Sequence, residues 1–198
     1  MTSASLTTRA RLRLLIVPAL AAAALALALA APAGASAERA TSSAACAAAG
    51  AHPRAVSTAV IRNATLCLLN AERRKRGLRP LRHNRRLATA ASRHARDMVR
   101  HKYFSHRSRS GATFVDRILR TRYVRSRRGH WVLGENLAWG SGRYATPASI
   151  VRSWMRSPGH RRNILDRRFR EIGIALVRRA PRRGHSRAAT YVTEFGRR

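Results

Sequence analysis

"EIGIALVRRAPRRGHSRAATYVTEF", residues 171–195, decides the fold class. Two β-rich runs, Glu171 to Val177 and Ala188 to Phe195, flank a basic turn at Pro181 to Gly184, a pattern that predicts an antiparallel hairpin. Upstream the period becomes helical. Val60, Ala64, Cys67, Leu68 and Ala71 recur at helix spacing, with Ser57 as cap and Gly77 as terminator. Leu78 to Leu81 reads as an extended link. A second helix is predicted from about Asn84 to Lys102 on a stripe of Leu87, Ala91, Ala95 and Met98, and a third, shorter one near Thr113 to Arg120. Helices first and strands later predict an α+β domain, with helices packed on a small antiparallel sheet.

The N-terminus reads as an export signal. Arg9, Arg11 and Arg13 precede an apolar run from Leu14 to Ala31, and Ala35-Ser36-Ala37 supplies a small-residue cleavage site, so residues 1–37 are expected to be removed. The competing reading is an uncleaved anchor, because the run sits near the lower limit of a spanning helix, about 17 residues. Its alanine content and Pro18 favour cleavage. The remaining 161 of the 198 residues suffice for one domain with its own core. Residues 38–55, rich in Ala, Ser and Thr, read as a flexible arm, and 56–198 as the domain. Cys46 and Cys67, the only cysteines, form an even pair in an oxidising compartment, which predicts a single disulfide from the arm to the first helix. The plainer alternative makes Cys67 a small buried residue.

Charge sets the class of partner. Three of the 41 Lys and Arg lie before residue 38 and all eight acids at or after it, so 38 basic side chains face eight acids, a balance of +30. A genome rich in G and C accounts for arginine in place of lysine, but not for the scarcity of acids. Outside a cell such a field draws the protein to anionic cell-wall polymers or an acidic lipid surface. Few aromatics and no nucleic-acid motif argue against specific nucleic-acid reading. A Ser-His-Asp elbow, a P-loop and a dinucleotide fingerprint are all absent.

The chemistry concentrates in residues 135–166, "ENLAWGSGRYATPASIVRSWMRSPGHRRNILD". Gly134-Glu135-Asn136 reads as a turn, with the Asn side chain serving turn backbone. Trp139 and Trp154 read as core. Ser157 and Pro158 read as the cap and first position of a helix, so that His160 projects from its first turn. His94 reads as a packed histidine, and His52, His83, His101, His130 and His185 as solvated.

"LCLLNAERRKRGLRPL", "HARDMVRHKYFSH", "GENLAWG", "WMRSPGHRRNILD", "REIGIAL" and "YVTEFG" occur in an order and spacing that resembles the bacterial secreted branch of the CAP superfamily, whose domain is also called SCP. The resemblance covers about residues 60–196. It implies an α-β-α sandwich with a solvent-open cavity lined by two histidines and acids, which carry over to His106, His160 and Glu135. Two imidazoles and a carboxylate are a set that would hold zinc or another divalent cation with one position open; alternatively the histidines hold the ion and Glu135 acts on a bound water. The spacings are not those of a local metal motif, so assembly rests on the fold. Many eukaryotic members place a second acid three residues after the tryptophan of the fourth helix, where this chain has Ser157. Asp166 or Glu194 is left to approach from elsewhere, although Glu194 on a strand reads as part of a solvated face.

Two functions follow. One is a secreted binding module, its His/Glu cavity holding a divalent metal and a small ligand and its basic surface keeping it at the cell envelope. The other is a metal-assisted hydrolase, a peptidase or cell-wall amide hydrolase, with Glu135 as catalytic base. The missing second acid favours binding. Intact-mass measurement and N-terminal sequencing of exported protein should find a chain that starts near Glu38; a leader still attached would show a membrane anchor instead.

Overall fold

The computed structural model of the protein describes residues 46–125 and 129–198. The signal expected at 1–37 and the first part of the arm, 38–45, lie outside the described residues. Helix α1 (Thr58–Arg74) starts where the Ser57 side chain accepts from the Val60 N–H at 3.3 Å. Helix α2 (Arg85–His101) starts at Asn84, whose side chain accepts from the N–H groups of Arg86 and Leu87, and stops at Lys102 in the left-handed conformation. The six-residue α3 (Phe114–Leu119) opens with a capping box between Thr113 and Asp116. All three helices lie where their patterns place them. Two more, α4 (Pro147–Arg156) and α5 (Pro158–Leu165), fill the stretch before the hairpin. Ser157 occupies the cap position of α5, but its side chain makes no capping bond.

Four strands, β1 (Arg82–His83), β2 (Val132–Ser141), β3 (Glu171–Val177) and β4 (Ala188–Arg197), form a sheet in the order β1-β3-β4-β2. The expected hairpin is β3–β4. The sheet is mixed rather than purely antiparallel, because β1 runs parallel to β3. Strand β2 corrects a second expectation: Gly134-Glu135-Asn136 is no turn but lies inside a ten-residue strand paired along its whole length with β4. Gly134, Glu135, Asn136 and Gly140 are buried in it, which erases the alternation that marks a strand in sequence.

The pleat sends alternate side chains to opposite layers. Ile172 and Ile174 of β3 with Tyr191 and Phe195 of β4 pack against Ile61, Leu69, Trp154 and Ile164 of α1, α4 and α5. On the other face Ala175, Val192 and Leu137 meet Ala91, Ala95 and Met98 of α2. The result is an α-β-α sandwich. Val60, expected on the buried stripe of α1, is 40% exposed, and Ile61 takes its place in the core. Trp154 is core as expected, whereas Trp139 is only half-buried and lies edge-on to His185 at 4.7 Å between ring centroids.

Two further ties close the domain. Cys46 and Cys67 form the expected disulfide, Cα atoms 5.6 Å apart, which fastens the end of the arm to α1. Buried Arg73 donates to the carbonyls of Arg79, Ile164, Asp166 and Phe169, so one guanidinium links α1 to the connection between α5 and β3. Among the described glycines the tightest is Gly173, where a Cβ would stand 2.0 Å from the Ala88 nitrogen and 2.1 Å from the Leu87 carbonyl carbon of α2. Both neighbours are backbone and cannot step aside. Gly173→Ala is therefore expected to destabilise the domain by about 3 kcal/mol or more, measured by denaturant unfolding; a loss below about 1 kcal/mol would mean that α2 does not pack at this distance.

Candidate functional site

Gly173, Glu194 and Glu135 form one row across β3, β4 and β2, on the sheet face covered by α2. Glu135 has a side chain 1% exposed, and a carboxylate so far from water needs paired donors. Arg117 of α3 donates from Nη2 to its Oε2 at 2.5 Å. His106, from the loop that joins α2 to α3, donates from Nδ1 to its Oε1 at 2.7 Å. Burial opposes ionisation of Glu135, but the His106 hydrogen bond and the Arg117 charge outweigh it and hold its pKa below the usual carboxylate value.

Arg117 does more than neutralise. Its Nη1 donates to the carbonyls of His106 and Ala112 at 3.0 and 3.1 Å and to Ser108 Oγ at 3.2 Å, so the loop carrying His106 is gathered around one guanidinium. His94 of α2 is packed as expected, yet belongs to the site: its Nε2 donates to the Ser105 carbonyl at 2.9 Å and stands 4.0 Å from Glu135 Oε2. Burial, then the Arg117 charge, hold the His94 pKa below its usual value.

Glu194 overturns an expectation. It does not lie on a solvated face but is fully buried, directly opposite Glu135 across the ladder. Its buried carboxyl faces that of Glu135, the one group among the described residues that interacts with it by hydrogen bonding. Burial and the neighbouring Glu135 charge raise its pKa well above the usual value. Two carboxyls side by side cannot both ionise, so Glu135 carries the charge and Glu194 the proton. Asp166 takes no part, being paired with Arg168 at 2.6 Å.

His160 reaches the site from the other layer. β2 is an edge strand, and its free edge is covered by α5: Asn163 donates to the Glu135 carbonyl at 3.0 Å and to Asn136 Oδ1 at 2.9 Å, while Asn136 donates to the His160 carbonyl at 3.1 Å. Asn136 thus serves the strand edge rather than a turn. Burial, then electrostatic repulsion from nearby His106, lower the His160 pKa, and its buried Nδ1 has no partner among the described residues. The structure therefore brings His106, Glu135 and His160 to one edge of the sheet. Among the described residues no group of three or more His, Cys, Asp or Glu is arranged to hold a metal ion. Both Glu135 oxygens are engaged by protein donors, which leaves imidazole nitrogens as the donor set.

Arg117 and the role of His94 escape a reading of the sequence, and Glu194 is named there only as an acid left to approach from elsewhere, with a solvated face preferred. Arg117 is one of 41 basic residues and carries no mark of its own. Glu194 does carry a signal: it is one of only eight acids, set in the middle of an apolar strand.

The fold agrees with that of the chain's relatives. The family model of CAP, the Cysteine-rich secretory protein family, matches residues 66–194, and the chain belongs to this family. Two relatives come from Bacillus subtilis (strain 168). Uncharacterized protein YkwD is 36% identical over 110 residues, 56% of this chain and 40% of that protein. Uncharacterized membrane protein YlbC is 32% identical over 117 residues, 58% of this chain and 31% of that protein. The matched regions thus span well under half the length of these relatives. An extracellular protein containing a SCP domain from Bacillus anthracis str. Ames superposes with a TM-score of 0.54 at 24% identity, over 72% of this chain and 44% of that one. An outer surface protein from Borrelia burgdorferi does so with 0.59 at 21% identity, over 72% and 96%. These two establish the shared SCP/CAP fold.

The carboxyl pair makes a prediction with a definite sign. Because the folded-state pKa of Glu194 is raised, its burial is tolerated fully below the unfolded value of about 4.3 and costs stability increasingly as pH climbs above it. Glu194→Gln keeps the shape and cannot ionise. Thermal melts from pH 4 to 8 should show the variant close to wild type at the acid end and more stable by a few degrees at the neutral end. Parallel curves would remove the proton from Glu194.

Proposed function

We propose that the protein is an exported bacterial CAP-domain binding protein in which His106 and His160 take a divalent metal, zinc by ligand preference, and with it a small ligand, while the basic surface retains it at the cell envelope. The observation that carries this reading is the Nδ1 donation of His106 to a buried Glu135 that Arg117 anchors. That hydrogen bond fixes the tautomer and turns the Nε2 lone pair away from the carboxylate, the arrangement that carboxylate partners impose on metal-binding histidines. His160, its pKa lowered by burial, offers a second neutral imidazole at neutral pH, and imidazole suits zinc. A bound ion would supply an open coordination position for an anionic or carbonyl group of the ligand. Export is supported by the signal pattern of residues 1–37 and by family neighbours described as an extracellular and an outer surface protein.

Hydrolysis in the same cavity is the second reading, favoured by the Glu135–His106 hydrogen bond, which would orient the imidazole as a base. Binding is preferred because neither Glu135, 1% exposed at its side chain, nor fully buried Glu194 faces a substrate. The missing acid at Ser157 does not decide the matter, since Glu194 supplies a second carboxyl from another strand.

The test is metal analysis of the exported chain purified without chelator, with zinc titration. Wild type is expected to bind one ion, His106→Ala and His160→Ala to lose it, and affinity to fall as pH drops through roughly 6 while protons compete for both imidazoles. Glu135→Gln, which removes the charge behind His106, should weaken binding about 10–100-fold without abolishing it. No binding by wild type at micromolar zinc would sink the metal reading. Turnover of a peptide or wall-derived amide that His106→Ala abolishes would establish the hydrolase instead.

A further inference from the structure

The basic surface is not featureless. Three depressions adjoin where α4 meets α5 and α1, with volumes of about 520, 440 and 390 Å³. Arg152 borders the 520 and 390 Å³ depressions, Arg156 the 520 and 440 Å³ ones, and Arg161 the 440 and 390 Å³ ones, so these side chains stand on the ridges between neighbouring depressions, which together form the α4–α5 groove. Arg143 closes the outer end, its Nη2 held by the Tyr144 hydroxyl at 2.8 Å. Within α4 the order Ser149, Arg152, Ser153, Arg156 follows i, i+3, i+4, i+7, a polar stripe opposite the buried Ile150, Val151 and Trp154.

The chemistry of this groove is one-sided. No acid occurs between Glu135 and Asp166. The single acid that lines any of the three depressions, Glu72, is already paired with Lys75 at 2.8 Å and Arg76 at 2.9 Å. Two of the three floors are partly apolar, with Met155 in both, joined by Leu165 and Pro158 in one and by Leu68 and Val151 in the other, whereas the 520 Å³ depression is lined by arginine, serine and Tyr144. Rims of guanidinium forks over a partly apolar floor suit a linear chain in which phosphodiesters alternate with short carbon segments. The forks take phosphate oxygens in pairs, and the floor takes C–H faces between them. Arg152 and Arg156, one helical turn apart at about 5–6 Å, would meet neighbouring phosphates.

We propose that the α4–α5 groove is a binding site for a linear polyol-phosphate polymer of the cell envelope. This rests on the envelope retention proposed above and gives that retention a place on the molecule. A lipid surface fits less well, because a bilayer cannot enter a groove and the only large apolar side chains exposed among the described residues are Val60 and Tyr144, too few for insertion.

The probe is a fluorescent glycerol-phosphate oligomer, titrated by anisotropy with the exported, disulfide-bonded chain. Two variants of equal charge are compared: Arg143, Arg152, Arg156 and Arg161→Gln in the groove, and Arg85, Arg93, Arg96 and Arg100→Gln on the exposed face of α2. All eight side chains are exposed, and near-UV circular dichroism confirms that both variants are folded. The groove variant is expected to bind at least about tenfold more weakly at ~0.1 M salt, with the slope of log K against log salt smaller by about 3; the α2 variant should stay within about twofold. Lysine at the four groove positions should restore the affinity only in part, because it keeps the charge and loses the fork. Equal losses in the two glutamine variants would overturn the groove and leave diffuse envelope retention standing. Failure of wild type to bind either the oligomer or isolated cell walls would remove both. Groove-dependent binding that is tighter to phosphatidylglycerol vesicles or to single-stranded DNA of equal charge would overturn the polymer as occupant.

Discussion

The site depends on one buried charge. Glu135 has been taken out of water, at a cost that only close pairing offsets, and Arg117 and His106 supply the pairing. Much of the surrounding architecture serves this requirement. A helix of six residues is too short to persist alone, yet α3 is held by a capping box at its start and presents Arg117 from its last turn. The same guanidinium gathers the carbonyls of His106 and Ala112, so neutralising the carboxylate and ordering the His106 loop are one event. Removing Arg117 would leave Glu135 with only the His106 donor and that donor's loop unfastened.

A second constraint sets how deep that charge lies. At Gly173 the backbones of α2 and β3 touch, and Gly173 stands in the same cross-strand row as Glu194 and Glu135. The approach of α2 covers the row and leaves Glu194 no water, which forces its proton to stay. On the far side β2 ends the sheet, and an open edge must be satisfied or covered. Asn163 of α5 accepts that task at the Glu135 carbonyl, and the docking of α5 places His160 beside the edge. The two histidines therefore lie on the same edge of the sheet because one layer is fastened to the Glu135 side chain and the other to its backbone.

The legible and illegible parts of the sequence divide along physical lines. Helices α1, α2 and α3 are readable because capping residues and a 3.6-residue period are local signals, and the β3–β4 hairpin because its two runs flank a basic turn. β2 is not, since Gly134, Glu135 and Asn136 are buried in it for packing and chemistry and so break the alternation. The position of Glu135 is reached through family resemblance, not pattern. Of its partners, His106 comes with the same resemblance, but nothing in the neighbours of Arg117 sets it apart from other arginines, and the pairing with Glu194 joins residues 59 positions apart through strand register alone.

The distribution of acids bears on whether the arginine excess is drift. Each of the seven described acids has an interior or anchoring task. Glu135 and Glu194 form the buried pair, Glu171 accepts from Asn84 and Tyr123, and Asp116 completes a capping box. Asp97 accepts from His101 and Tyr103, Asp166 pairs with Arg168, and Glu72 holds Lys75 and Arg76. Every described acid has a partner, those of Glu72 and Asp166 including the exposed Lys75 and Arg168. Compositional drift toward arginine would add cations without stripping the exterior of carboxylates that do no structural work. Among the described residues the acids are all engaged, which leaves the field of the arginines little opposed there, the condition that retention on a polyanion would require.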